Sequence, residues 1–392
     1  MRLLRVIRSL HPSGGGPVEG LKQCSPYLKR LGIETTVATL DTPSSNWLLD
    51  LPFKTISLGP VLGGYGYRPG LIKSLSLLSA RFDAVIVEGL WQYHSYASWR
   101  AFRISPKPYY VFVHGMLDPW FKHAYPLKHY KKSLYWSCFE SKLLRDAAAV
   151  LFTTRAERDS ARESFINYNA IEEVVGYGSS PPPLISGTDV EAFYSSFPGL
   201  RGKDIYLFLG RLHPKKGVDL LIQAFAELAH QDPNCHLVLA GPVQPSYHRY
   251  LSKIIRTVSI GSQVTWTGSL TGPMKWSAFA TAQLFCLPSH QENFGVAVAE
   301  SLSVGLPVCI SGAVNISDLV ARSGAGLVHS DTLEGTSDAL RLWANMDQHA
   351  RHQMSRSATT LFFSEFHWEQ VSLRLASLLF KGHGSGNTFI VE

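Results

Sequence analysis

His290-Gln291-Glu292-Asn293-Phe294-Gly295-Val296-Ala297-Val298-Ala299-Glu300 follows directly on the apolar run Leu284-Phe285-Cys286-Leu287-Pro288-Ser289. Four consecutive apolar residues closed by a proline read as a buried strand running into a loop. From Gly295 to Ser303 the small and β-branched residues read as a helix, stopped by Gly305 and Pro307. The start of that helix, over Phe294 to Val296, offers backbone N–H groups to an anion. Glu292 falls in the loop and Glu300 two turns into the helix. On spacing alone Glu292 is equally a helix N-terminal charge and Glu300 a solvated one. However, Val296, Val298, Ala299 and Leu302 surround Glu300, and a carboxylate in that company needs a partner or a ligand.

Outward from this stretch the chain alternates strand-like and helix-like segments. Strands are expected at Leu3–Ser9, Thr35–Leu40, Ala84–Glu88, Tyr109–His114 and Val150–Thr153, with helices between them. Runs such as Val111-Phe112-Val113 are continuously apolar, as strands covered on both faces should be. Gly176-Tyr177-Gly178-Ser179-Ser180-Pro181-Pro182-Pro183 then reads as a linker. A second alternating series starts at Asp204–Gly210 and continues through His236–Gly241, Gln263–Thr267, Pro307–Ser311 and Gly326–His329. This is an α/β chain of two doubly wound, Rossmann-like halves. The expected division is 1–178, 179–365 and a C-terminal part 366–392. In that last part an amphipathic helix Trp368–Phe380 is long enough to cross back to the first half. The Gly-rich tail from Lys381 to Gly386 is expected to be loose.

At 392 residues the chain is long enough for two cores. Apolar residues make up 45% and charged residues 17%, which excludes a disordered chain. No run approaches the roughly 18 apolar residues of a membrane span. The opening residues, with Arg2, Arg5 and Arg8 inside the apolar run, read as a first strand and not as a signal peptide. Five scattered cysteines without metal-ligand spacing fit a reduced, cytoplasmic setting. The net charge of +7 is uneven. Residues 1–180 hold 22 Lys+Arg against 14 Asp+Glu, leaving 15 and 16 of the totals of 37 and 30 for the rest. The first half therefore carries the whole positive surplus, which suits an anionic membrane surface, a lipid phosphate or an acidic glycan. No nucleic-acid motif accompanies it, so nucleic acid is not an expected partner.

Three further loops follow expected strands. Ser13-Gly14-Gly15-Gly16-Pro17 lets backbone N–H groups approach a ligand closely, although alone it is equally a flexible turn. His114-Gly115 ends a strand where ligands bind in open sheets, although a lone histidine there more often simply caps a turn. Gly210-Arg211-Leu212-His213-Pro214-Lys215-Lys216-Gly217 places Arg211 and Lys216 before a helix, a pairing suited to a pyrophosphate. In isolation such a pair is more often two solvated charges. What carries weight is that all of these loops follow strands.

The chain resembles a retaining glycosyltransferase of the GT-B fold, in family 4, the group 1 glycosyl transferases. The resemblance rests on Gly210-Arg211-x4-Lys216-Gly217 followed by Glu292-x7-Glu300. Leu239-Ala240-Gly241-Pro242, Trp266-Thr267-Gly268, Gly305-Leu306-Pro307-Val308, the glycine loop, His114-Gly115 and Trp368 support it in order and spacing. It covers nearly the whole length. It implies two domains facing across a cleft and transfer of a hexose from a nucleotide diphosphate sugar to a glycan or lipid-linked acceptor. Anomeric configuration would be kept, in polysaccharide or glycolipid biosynthesis. It implies that Arg211 and Lys216 bind the diphosphate and that Glu300 bonds the ribose. Glu292 with Asn293, Phe294 and Gly295 would hold the sugar, and His114 would lie beside the reacting carbon. Gly15 and Gly16 would close near the phosphates and Gly210 would line the donor. No cofactor or metal is expected, since the two cations would neutralise the leaving group and no Asp-x-Asp is present.

For the acceptor, Trp91, His94 and Trp120 are candidates, with Lys122, His123, Lys128, Lys131 and Lys132 as a basic and aromatic surround. Two positions depart from the family pattern. The linker lacks the usual proline-asparagine-glycine turn, and Glu88 stands where relatives often place a histidine. Two alternatives stay open: a sugar-nucleotide epimerase or hydrolase of the same fold, and a non-catalytic sugar-nucleotide-binding protein.

Overall fold

The protein's structure, a computed structural model, describes residues 1–120, 122 and 126–382. His123 and the tail from residue 383 lie outside the described residues. The chain forms two compact units: Met1–Gly178 joined by the segment from Trp368 onward, and Ser179–His367.

The first unit is built on seven parallel strands: β1 (Arg2–Ile7), β2 (Glu34–Thr39), β3 (Lys54–Ser57), β4 (Ala84–Glu88), β5 (Tyr109–Phe112), β6 (Ala149–Phe152) and β7 (Glu172–Val174). Their order across the sheet is β3-β2-β1-β4-β5-β6-β7. The central strands are buried on both faces, with Leu3, Leu4, Val85, Ile86, Val87 and Val111 fully buried. That explains their unbroken apolar sequence. The outer strands β3 and β7 are short and polar, which is why their sequences carry little strand signal. The segment expected to be one helix within Leu127–Ala149 is Pro126–Tyr135, a π-helical turn Trp136–Glu140, and Ser141–Arg145.

The second unit has six parallel strands: β8 (Asp204–Leu209), β9 (Cys235–Ala240), β10 (Val264–Gly268), β11 (Leu284–Leu287), β12 (Val308–Ser311) and β13 (Gly326–His329). Their order is β10-β9-β8-β11-β12-β13. In each sheet the winding reverses once, between β1 and β4 and between β8 and β11. At such a reversal the loops leaving the two strands diverge and open a crevice at the strands' carboxyl ends.

The helix Trp368–Gly382 packs in the first unit. The Trp368 indole N–H donates to Gln23 Oε1 at 2.8 Å, and Arg374 Nε donates to the Val175 carbonyl at 3.2 Å. The stretch expected to be a plain linker needs correction at Tyr177. This residue is only 6% exposed. Its hydroxyl donates to the Gly16 carbonyl, and its ring meets Trp368 edge-on at 5.0 Å. Gly20 leaves the room for that ring, since a Cβ there would come within 1.9 Å of the Tyr177 hydroxyl. Gly176 takes the left-handed backbone at φ +86°, but the residue after it is core.

Candidate functional site

In the second unit the reversal between β8 and β11 sets the loop Gly210–Gly217 beside the loop Pro288–Gly295. Gly217 makes this possible. It has φ +62°, and a Cβ would come within 2.1 Å of the Pro288 carbonyl oxygen. The loops are also bonded directly, His290 N–H donating to the Lys215 carbonyl at 2.8 Å. Gly241, after β9, sits equally close to the Gly210 carbonyl, so no side chain fits between those turns.

These contacts bring together residues 76 positions apart: the Lys216 ammonium forms an ion pair with the Glu292 carboxylate. Both side chains are about one-fifth exposed. Burial, with Lys215 and Arg211 alongside, pushes the Lys216 ammonium down to about 7, and the touching Glu292 carboxylate opposes that shift. Arg211 is exposed and has no ion pair among the described residues. The backbone of Glu292 is fixed on both sides. Its N–H donates to the Ala313 carbonyl at 3.1 Å, and its carbonyl accepts from Asn315 N–H at 3.0 Å. Asn315 also donates to Asn293 Oδ1 at 3.3 Å.

The helix that follows is Val296–Ser303, with Gly295 at its start in the left-handed conformation, φ +75°. No side chain caps this end, so its N-terminal dipole faces the same loop pair as Lys216. Glu300 is 7% exposed and bonds Lys275 Nζ at 2.7 Å. The partner expected for this carboxylate is thus a lysine that the sequence reading missed. Lys275 lies on the helix Gly272–Thr281, after β10, with its ammonium 4.6 Å from the Trp276 ring centre. A lysine 25 residues upstream on a separate helix leaves no spacing signal. The second unit therefore gathers Arg211, Lys216, Glu292, Asn293, Gly295 and Glu300 around the carboxyl ends of its sheet.

In the first unit, Gly15 has φ +66° and opens the helix Gly16–Arg30 without a capping side chain. His114 follows β5 in the left-handed region at φ +49°, with Gly115 at +75°. Its ring stacks on Phe112 with centres 4.3 Å apart. His114 Nε2 lies 2.7 Å from Glu88 Oε2, and Arg5 Nε lies 2.5 Å from Glu88 Oε1. All three side chains are under 10% exposed. Burial alone would raise the Glu88 carboxyl, but Arg5 and then His114 hold it below the ordinary glutamate value.

His94 requires correction as an acceptor residue. It is 1% exposed and bonds the Glu88 carbonyl at 2.8 Å. Burial pushes its imidazole down to about 4, so it is a neutral core histidine. Trp91 is part-buried, with its indole N–H donating to the Met116 carbonyl at 3.2 Å and the Lys132 ammonium 4.5 Å from its ring centre. Trp120 is part-buried, its N–H bonded to Asp118 at 2.8 Å. Nearby, a cavity of about 270 Å³ is lined by Met116, Lys128, His129, Lys132 and Phe165 among others. Among the described residues no three His, Cys, Asp or Glu side chains are grouped to hold a metal ion.

Both halves have known counterparts. Residues 194–360 match the family model for glycosyl transferases group 1, and residues 15–178 that for the glycosyl transferase 4-like domain. The chain belongs to the group 1 glycosyl transferases. This transferase is 25% identical over 380 residues to the GDP-mannose:cellobiosyl-diphosphopolyprenol alpha-mannosyltransferase of Xanthomonas campestris, covering 95% of this chain and 94% of that one. It is 27% identical over 176 residues to the lipopolysaccharide 1,2-N-acetylglucosaminetransferase of Salmonella typhimurium, covering 43% and 46%. Among solved structures, the transferase resembles a glycosyltransferase from Rickettsia africae, with a TM-score of 0.79 at 14% identity over 98% and 99% of the chains. It also resembles Anabaena Alr3699/HepE in complex with UDP and glucose, with a TM-score of 0.74 at 18% identity over 97% and 100%. At those identities the likeness establishes the fold, which is GT-B.

Proposed function

We propose that this glycosyl transferase moves a hexose from a nucleotide diphosphate sugar to a glycan or lipid-linked acceptor with retention of anomeric configuration. The observation that carries the reading is the meeting of Lys216, Arg211, Glu292 and an uncapped helix N-terminus at one sheet reversal. When a sugar–phosphate bond breaks, negative charge grows on the leaving oxygen and the sugar becomes oxocarbenium-like. Fixed cations and helix N–H groups facing that oxygen lower the barrier. Lys216 then exchanges Glu292 for the diphosphate, and the released carboxylate turns to the sugar hydroxyls. Glu300 holds the ribose, with Lys275 as its counter-charge. The acceptor hydroxyl attacks from the side the diphosphate leaves, and the departing phosphate oxygen takes its proton. The two cations do the neutralising, so turnover should persist in EDTA.

The acceptor side belongs to the basic first unit. On the helix Pro126–Tyr135, Leu127, Tyr130 and Leu134 are 83%, 78% and 68% exposed and share one face, with Lys128 and Lys131 beside them. An apolar stripe edged by lysines suits an anionic bilayer surface. This supports a lipid-linked acceptor and a peripheral position at the membrane. The named acceptor of the Xanthomonas relative, a diphosphopolyprenol, is of the same chemical kind.

The test is a thermal-shift panel of UDP-, GDP- and ADP-sugars, followed by NMR of the product anomer with candidate acceptors. An inverted anomer would overturn retention. Turnover of the sugar nucleotide with no dependence on an acceptor would favour the epimerase or hydrolase reading. Binding without any turnover would favour a sensor.

A further inference from the structure

Glu88 offers no motif and its sequence position suggested no role, yet three adjacent strands converge on it. It ends β4, Arg5 comes from β1 and His114 follows β5, and these strands are neighbours in the sheet. We infer that Glu88 is a positioning residue that fixes the tautomer of His114, holding the ring proton on Nε2 and leaving Nδ1 as the acceptor presented to a sugar hydroxyl. The sugar part of this inference rests on the proposed function; the tautomer part does not.

Arg5 is a donor only, so the Glu88 oxygen it faces must accept. Glu88 is buried beside a guanidinium, which favours its carboxylate form, and a carboxylate has no proton to give. The 2.7 Å contact with His114 must therefore be an Nε2–H donating to Glu88. His114 Nδ1 makes no hydrogen bond among the described residues. The ring is held in place from other directions as well. Phe112 stacks on one face, and the turn beneath it is pinned by Gly115 N–H donating to the buried Glu157 carboxylate. With the ring proton on Nε2, the neutral imidazole has Nδ1 as its acceptor.

Glu88→Gln tests this sharply. Arg5 must keep an oxygen, so the amide turns its NH2 toward His114, and the ring must then accept at Nε2 and carry its proton on Nδ1. The readout is nitrogen-15 NMR of the histidine-labelled full chain, with the His114 signals assigned by their loss in His114→Asn. Asparagine tolerates the left-handed backbone at that position. The expected result is the Nε2–H tautomer in the wild type and the Nδ1–H tautomer in Glu88→Gln. In turnover assays Glu88→Gln should lower kcat by at least about 10-fold, the kind of loss a wrong tautomer brings. KM for the sugar nucleotide should change by less than about 3-fold. In the His114→Asn background the same change should cost nothing further.

An Nδ1–H form or a tautomer mixture in the wild type would overturn the inference, whether or not the chain turns over sugar nucleotides. So would an equal loss of kcat from Glu88→Gln in both backgrounds, which is what a purely structural ion pair gives. If Glu88→Gln does not fold, the wild-type tautomer alone decides. The Nε2–H tautomer in a chain that transfers no sugar would uphold the positioning of the ring and sink the proposed function.

Discussion

The Lys216 ammonium meets the Glu292 carboxylate across two loops that leave the neighbouring strands β8 and β11. Each is the other's ion-pair partner, and the proposed function gives both to the donor. Lys216→Ala should therefore lose about 100-fold or more in kcat/KM, the scale of removing one preorganised group facing developing charge. The fold should survive, because both groups keep partial access to water. Circular dichroism and steady-state kinetics on the same preparation check this. Unchanged turnover would remove Lys216 from the catalytic set.

Arg211 makes the contrasting case. It is exposed and has no ion pair among the described residues, so Arg211→Ala should change stability by less than about 0.5 kcal/mol. Turnover should nevertheless fall, and the thermal shift produced by a sugar nucleotide should shrink. A variant with full turnover would show that Lys216 neutralises the leaving group alone.

Gly217→Ala probes the scaffold and leaves the cations in place. The position needs a left-handed backbone and has no room for a Cβ against the Pro288 carbonyl. Strain alone costs about 1–2 kcal/mol, and the clash adds to it. The expected outcome is a Tm lower by roughly 5 °C or more. Gly199→Ala is the control, since nothing lies within 4 Å of a Cβ there and its φ is not in the left-handed range.

Glu140 should make stability depend on pH. It is 1% exposed, and its Oε1 accepts from Trp91 N–H at 2.6 Å and from the Ser95 hydroxyl at 2.8 Å. Burial pushes its carboxyl up to about 7, against these bonds and Lys132. An acid raised in the folded state is held as its neutral form. Its contribution is intact below the unfolded value near 4.5 and is lost as pH rises from there through about 7. Glu140→Gln imitates the neutral form. Its Tm should match the wild type at pH 5 and exceed it at pH 8, in melts at both pH values. The reverse order would mean that Glu140 is ionised when folded.

How much of this was legible in the sequence depended on whether a feature is local. The inner strands announced themselves because burial on both faces demands unbroken apolar runs, as in β4 and β5. The Glu292-x7-Glu300 stretch was legible because strand, loop and helix follow one another without a break. Glu88, Lys275 and Tyr177 were not. Each takes its meaning from a partner on another strand or helix: His114 for Glu88, Glu300 for Lys275, Gly16 and Trp368 for Tyr177. Such pairings have no period and no fixed spacing. His94 misled for the same reason in reverse. A histidine among aromatics after a strand looks like a site, and only the Glu88 carbonyl over its ring nitrogen shows that it faces inward.

The two bare-backbone contacts, Gly217 on Pro288 and Gly241 on Gly210, grip the cation-bearing loop at both ends. A loop held in this way has little freedom left to surrender when a ligand arrives. Capture of an anion there should draw mainly on exchanging Glu292 and water for phosphate, not on ordering the chain. Calorimetry would then find a small heat-capacity change for donor uptake, as for a rigid receptor.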